Sequence, residues 1–153
     1  MKEGVPRTTD LNLKKNDYLD WNNIENLVKK TALKIKENNK KYDLIIGVKN
    51  GGIIPAKLIS RELNIKNIDF ISVKMNQIFT SSNFPRNKKY LLIDDIYDTG
   101  KTFFTVNKFF NSFDFDYACL VSRYRITDNN SKIIIIGEIL NHNKWIVFPW
   151  ENG

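Results

Sequence analysis

Apolar residues in this chain gather into short unbroken runs, and between those runs they recur every three or four positions, as buried strands alternating with amphipathic helices would require. Asp20 stands where it caps a helix reaching to about Asn38, with Trp21, Ile24, Leu27, Val28, Thr31 and Ile35 on one face and lysines opposite. Leu44 to Val48 reads as a strand ended by Asn50-Gly51-Gly52, and Pro55 falls in the first turn of a helix to about Leu63. Ile68 to Met75 and Lys89 to Ile93 read as further strands. Lys101 to about Ser112 reads as a helix with Phe103, Val106 and Phe110 on one face. Tyr117 to Val121 adds a strand, and Ile133 to Ile136 and Trp145 to Phe148 read as short strands of a small appendage.

This pattern predicts an α/β fold, a parallel twisted sheet flanked by helices. In such sheets ligands bind beyond the carboxyl ends of the strands, where the glycine-bearing turns 49–52 and 94–102 both fall, so the two can face one crevice. Residues 1–17 are polar, with Leu11 and Leu13 as their only apolar anchors, and are expected as a surface segment. Asn76 to Lys88 is expected as a polar connection between strands.

At 153 residues and 42% apolar content the chain can bury a core as one domain. No apolar run approaches the roughly 20 residues of a membrane span and Met1 to Pro6 contains no apolar leader, so a cytoplasmic protein without a membrane partner is expected. Cys119, the single cysteine, excludes a disulfide framework and a cysteine-based metal site and reads as an inert core thiol. His142, the single histidine, reads as a surface loop residue. The net charge of +7 suits anionic ligands. Its lysines come as spaced pairs, Lys14-Lys15, Lys29-Lys30, Lys40-Lys41 and Lys88-Lys89, rather than as one basic arm, which weighs against nucleic acid as the partner.

The densest chemistry lies between Tyr90 and Thr102. Asp94, Asp95 and Asp98 can accept hydrogen bonds from sugar hydroxyls or hold a hard cation, and Thr99, Gly100, Lys101 and Thr102 can offer amides and hydroxyls to a phosphate. Gly100-Lys101-Thr102 also ends like a nucleotide P-loop, but the glycine that should open such a loop falls on Asp95, whose carboxylate would repel the phosphates.

The stretch from Leu91 to Thr102 resembles the signature of the type I phosphoribosyltransferases, an apolar strand followed by Asp-Asp, two residues, and Asp-Thr-Gly-x-Thr. Ile45 to Leu63 looks like that family's diphosphate loop and following helix, and Trp145 to Glu151 is similar to the tail of the bacterial xanthine-guanine enzymes. The resemblance implies a core over 18–125 and a small C-terminal hood over 126–153 that recognises the base. It implies transfer of a phosphoribosyl group from 5-phosphoribosyl 1-diphosphate to guanine, hypoxanthine or xanthine in purine salvage, with Mg2+ as cofactor and a homo-oligomeric assembly.

Residue by residue, the resemblance gives Asp94 and Asp95 the ribose hydroxyls, with Asp95 also reaching magnesium, and gives Asp98 the role of general base or acceptor beside purine N7. Thr99, Gly100, Lys101 and Thr102 match the 5-phosphate cradle. Lys49, Asn50, Gly51 and Gly52 match the diphosphate loop, in which the family often carries a cis peptide between non-proline residues. Trp145 matches the ring that stacks on the purine, where core packing is the alternative, and the backbone of Ile146 faces the exocyclic groups. Two positions depart from the pattern: Asn50 stands where the relatives carry arginine, and Arg123 stands where they place a lysine that reaches the purine 6-oxygen. Arg86 or Lys88 could touch diphosphate if the 76–88 segment closes over the site.

Two rival readings follow from the same residues. A regulator built on this fold would sense the sugar phosphate or nucleotide and bind nucleic acid; the charge and Asn50 favour it, Asp98 and the Trp145 tail oppose it. A phosphoribosyltransferase for adenine or a pyrimidine is opposed only by Arg123, Trp145 and Ile146.

Overall fold

The computed structural model describes residues 15–126 and 133–152, so Leu11, Leu13 and most of the expected surface segment lie outside the described residues. In chain order the elements are β1 (Asn16–Tyr18), α1 (Trp21–Glu37), β2 (Leu44–Lys49), α2 (Ile53–Leu63), β3 (Ile68–Lys74) and β4 (Gln77–Phe79). They continue with β5 (Lys89–Tyr97), α3 (Lys101–Phe109), β6 (Asp114–Ser122), β7 (Ile134–Ile139), β8 (Trp145–Val147) and a 3-10 turn, Pro149–Asn152.

The main sheet has the order β4-β3-β2-β5-β6-β7 and is parallel except for β4, which runs antiparallel to β3. The central strands carry continuous apolar stretches, Ile45–Ile46, Tyr90–Ile93 and Ala118–Val121, because both of their faces are covered. α1 and α2 cover one face, where Ile24, Leu27, Val28, Ala56 and Ile59 pack on Ile45, Leu91 and Ile93. α3 covers the other, where Val106 and Phe110 pack on Ile46, Leu92 and Tyr117. Each fully buried Ile or Leu of these faces contributes about 1.5–3 kcal/mol relative to leaving it in water. No helix among the described residues is long and apolar enough to cross a membrane.

Asp20 caps α1 as expected: the Asn23 N–H donates to Asp20 Oδ1 at 2.8 Å while the Asp20 N–H donates to Asn23 Oδ1 at 2.9 Å. The buried stripe is Ile24, Leu27, Val28, Thr31, Ala32 and Ile35. Trp21 does not belong to it. Lying in the first turn of the helix, Trp21 is 54% exposed, and its ring meets Trp150 at 6.1 Å instead of the sheet.

Several boundaries differ from the sequence pattern. β5 runs on through Asp94 and Asp95 to Tyr97, so the acid pair sits on the strand and only residues 98–100 make the turn. α3 ends at Phe109 rather than Ser112, with Phe110 at its C-cap buried against the sheet. Ile134–Ile139 is not an appendage: it pairs in parallel with β6 and extends the main sheet past residue 125. β8 pairs instead with β1, register Asp17↔Ile146, so part of the expected surface segment 1–17 is a strand. Within 76–88, β4 adds to the sheet edge and Ser82 Oγ donates to Asp69 Oδ2 at 2.6 Å. The Arg86 guanidinium bonds to Ser112 Oγ and lies 4.7 Å from the Phe113 ring, at the end of the sheet opposite the glycine-bearing turns. Lys88 lies at that same far end, beside Asp43 and Asn67. Neither cation faces the crevice, because the segment carrying them has already turned back to the start of β5.

Candidate functional site

A cleft of about 200 Å3 opens at the carboxyl ends of β2 and β5, lined by Lys49, Asp94, Asp95, Asp98, Thr99, Gly100, Lys101 and Thr102, with Val48, Val73 and Tyr117 beneath. A larger groove, about 690 Å3, runs between α1 and β7, but it gathers no comparable set of carboxylates and helix-end amides. The chemistry lies in the smaller cleft.

Strand alternation sends the adjacent acids to opposite faces of the sheet. Asp94 turns to the α3 side and is buried, its Oδ2 accepting from the Tyr117 hydroxyl at 3.0 Å and its Oδ1 from the Asp95 N–H at 2.8 Å. Burial pushes its carboxyl well above the usual range, the neighbouring Asp95 charge pushes the same way, and the Tyr117 bond opposes them. Asp95 turns to the α2 side, against the 49–52 loop. Burial raises it as well; bonds from Asp94 and the Ile96 N–H act against this, and the Glu151 charge adds to it.

The loop over 49–52 is braced from behind. The Lys49–Asn50 peptide is cis, the Gly52 N–H donates to Val48 O at 2.7 Å, and the Ile53 N–H donates to Asn50 O at 3.2 Å. A Cβ on Gly51 would stand 2.1 Å from Asp95 Oδ2, and one on Gly52 would stand 2.5 Å from the Ile93 carbonyl. These glycines are required because backbone and carboxylate occupy the space of a side chain. Lys49 reaches the cleft, whereas Asn50, Gly51 and Gly52 flank it.

At the other end of the cleft, Gly100 takes φ +88 and lets the chain leave β5 and enter α3 at once. Gly100 supplies no side-chain cap, so the first-turn amides of α3 are left to the turn, with the Lys101 N–H only 3.4 Å from Thr99 Oγ1. Such a helix start, with its partial positive charge, suits a phosphate.

Asp98 is partly exposed and accepts from Arg123 Nε at 3.3 Å. Arg123, at the end of β6, also donates to the His142 carbonyl at 3.4 Å. The structure therefore brings Arg123 to Asp98 directly. Trp145 is 60% exposed on β8, so core packing does not account for it, while the Ile146 side chain is buried in the core. Neither lines the cleft.

Among the described residues no group of three or more His, Cys, Asp and Glu side chains converges. Mg2+ commonly binds through one or two carboxylates together with substrate phosphates and water, so Asp94 and Asp95 at the cleft fit a metal that arrives with a diphosphate.

Two contributors escaped the sequence reading. Tyr117 partners Asp94, and its signal was a hydroxyl inside an apolar strand, since a buried tyrosine needs a hydrogen-bond partner. His142 is no free surface residue: its Nε2 lies 3.0 Å from Asp17 Oδ2. Cys119 is the buried thiol expected, and burial raises its pKa.

Comparison with known proteins agrees with this arrangement. The phosphoribosyl transferase domain family matches residues 15–153. Xanthine-guanine phosphoribosyltransferase of Cereibacter sphaeroides is 25% identical over 165 aligned positions, covering 99% of this chain and 92% of the relative. The purine phosphoribosyltransferase of Pyrococcus horikoshii superposes with a TM-score of 0.69 at 28% identity, covering 90% of this chain and 94% of that one. A hypothetical protein from Neisseria gonorrhoeae with bound ppGpp shares the fold, with a TM-score of 0.76 at 21% identity and coverage of 90% and 89%.

Proposed function

We propose, from the premise that this chain belongs to the phosphoribosyl transferase domain family, that it is a purine phosphoribosyltransferase acting on 6-oxopurines with 5-phosphoribosyl 1-diphosphate. In the reaction the bond from ribose C1 to diphosphate breaks, a bond from a purine ring nitrogen to C1 forms, and the base gives up a proton.

The observation that carries the choice of base is the Asp98–Arg123 pair, 3.3 Å apart. A 6-oxopurine presents an N–H at N7 beside the oxygen on C6, a donor next to an acceptor. Asp98 is an acceptor next to the Arg123 donor, so the two edges match. Adenine puts an amino donor where Arg123 also donates. Guanine, hypoxanthine and xanthine differ at C2, away from this pair, so all three remain substrates by this criterion.

The geometry supports the remaining roles. The α3 amides with Thr99, Lys101 and Thr102 hold the 5-phosphate, and the 49–52 loop with Lys49 holds the diphosphate. Asp94 and Asp95 accept from the ribose hydroxyls and place negative charge near a sugar that becomes cation-like as the C1 bond breaks. Asp98 takes or shares the N7 proton. Asp95, with Asp94 beside it, would hold Mg2+ together with the diphosphate, and the ion would neutralise charge on the leaving group. Exposed Trp145, on the two-stranded ribbon of β1 and β8, offers a stacking face for the base.

Turnover measured with guanine, hypoxanthine, xanthine and adenine tests the proposal. Adenine should fall at least about 100-fold below the best 6-oxopurine in kcat/KM. Adenine as the preferred base would sink the edge-matching argument.

A further inference from the structure

We infer that His142 is a positioning residue for the purine, tying the strand that carries Trp145 both to β1 and to Arg123; this rests on reading Asp98 and Arg123 as the groups that meet the base edge. The Lys144 N–H donates to His142 Nδ1 at 3.0 Å, so Nδ1 is an acceptor and the ring proton sits on Nε2. Nε2 then donates to Asp17 Oδ2 at 3.0 Å. Asp17 is the residue of β1 in register with Ile146 of β8. One imidazole thus fastens the loop before Trp145 to the middle of the opposing strand.

That fastening matters because the ribbon is small. β1 and β8 share only the pairs Asn16↔Trp145, Asp17↔Ile146 and Tyr18↔Val147, followed by the Leu19 N–H donating to Val147 O at 2.9 Å. A two-stranded piece of this length is marginal by itself. The same residue also reaches the cleft through its backbone: Arg123 donates to the His142 carbonyl at 3.4 Å while its Nε holds Asp98. Displacing the 142–144 loop would therefore move the stacking residue and release a bond that, together with Asp98, orients the Arg123 guanidinium. The 5-phosphate and diphosphate parts of the cleft are built on β2, β5 and α3 and would not share the disturbance.

The test separates the two substrates. In His142→Phe and Asp17→Ala, KM for the preferred 6-oxopurine should rise about tenfold while KM for 5-phosphoribosyl 1-diphosphate stays within about twofold. Asp17→Asn keeps an oxygen that accepts from Nε2 and should restore KM for the base to within about threefold of wild type. The double variant should be no worse than the poorer single one, since both remove one link. If His142→Phe melts below the assay temperature, Asp17→Ala carries the same comparison from the ribbon side. An unchanged base KM in the singles, or equal rises in both KM values, overturns the role of His142 and leaves the enzyme reading intact. A wild-type chain that makes no nucleotide from any 6-oxopurine removes both together.

Discussion

The carboxylate of Asp95 rests on the backbone of Gly51, so that any side chain at position 51 would begin 2.1 Å from Oδ2. Two turns more than forty residues apart in sequence thereby become one wall of the cleft, the acid on β5 and the loop after β2. Gly51→Ala must move one of them. A small-to-large change in such a packed place costs about 1–3 kcal/mol of stability. KM for 5-phosphoribosyl 1-diphosphate should rise by at least about tenfold in a variant that circular dichroism shows to be folded.

Asp98 and Thr102 should fail in different ways. Asp98→Asn keeps an oxygen toward Arg123 but cannot take a proton, so kcat should drop by about 10²–10⁴ with little change in sugar-phosphate binding. Thr102→Ala loses a hydroxyl at the helix start and should weaken that binding about tenfold with kcat nearly unchanged. Steady-state kinetics on both variants decides it; equal losses in both parameters for both would contradict the roles.

The acid pair makes stability and binding depend on pH in opposite directions. Asp94 and Asp95 are both raised, so the folded state keeps protons that the unfolded state gives up. That advantage is present below the ordinary carboxyl value and is lost as pH rises through the raised folded values. Asp94→Asn carries no charge and should show a higher urea midpoint than wild type at about pH 8, the difference closing as pH falls toward about 4. Binding of 5-phosphoribosyl 1-diphosphate with magnesium favours the ionised pair. It should release protons, seen in calorimetry as a binding heat that varies with the buffer, and affinity should weaken on acidification.

Tyr117 is the strongest test of how Asp94 is held. Tyr117→Phe removes the 3.0 Å bond and leaves a buried carboxylate short of a donor. Urea unfolding should show a loss of about 1–3 kcal/mol.

Much of this arrangement was legible in the residues. Asp20 marked the start of α1, and the apolar runs at Leu44 and Lys89 with their glycine-bearing turns placed both halves of the cleft at one end of the sheet. What escaped depends on distant partners. β5 continues through Asp94 because its backbone stays paired with β6 as far as Tyr97↔Ser122, with Tyr117 giving the buried carboxylate a donor, and local apolarity cannot report such a register. Asn16–Tyr18 is a strand only because Trp145–Val147 lies beside it, and Asp17 and His142 meet across 125 positions of chain. Arg86 is held by Ser112 and Phe113 at the far end of the sheet, which its place between two strands did not disclose.

Purine phosphoribosyl transfer is tested most directly by incubating the purified chain with 5-phosphoribosyl 1-diphosphate, magnesium and guanine, hypoxanthine or xanthine, and quantifying nucleoside monophosphate and diphosphate together. Equimolar formation of both, abolished by chelating the metal and lowered at least about 100-fold by Asp98→Asn, is the expected result. Neither product from any of the three bases would contradict it.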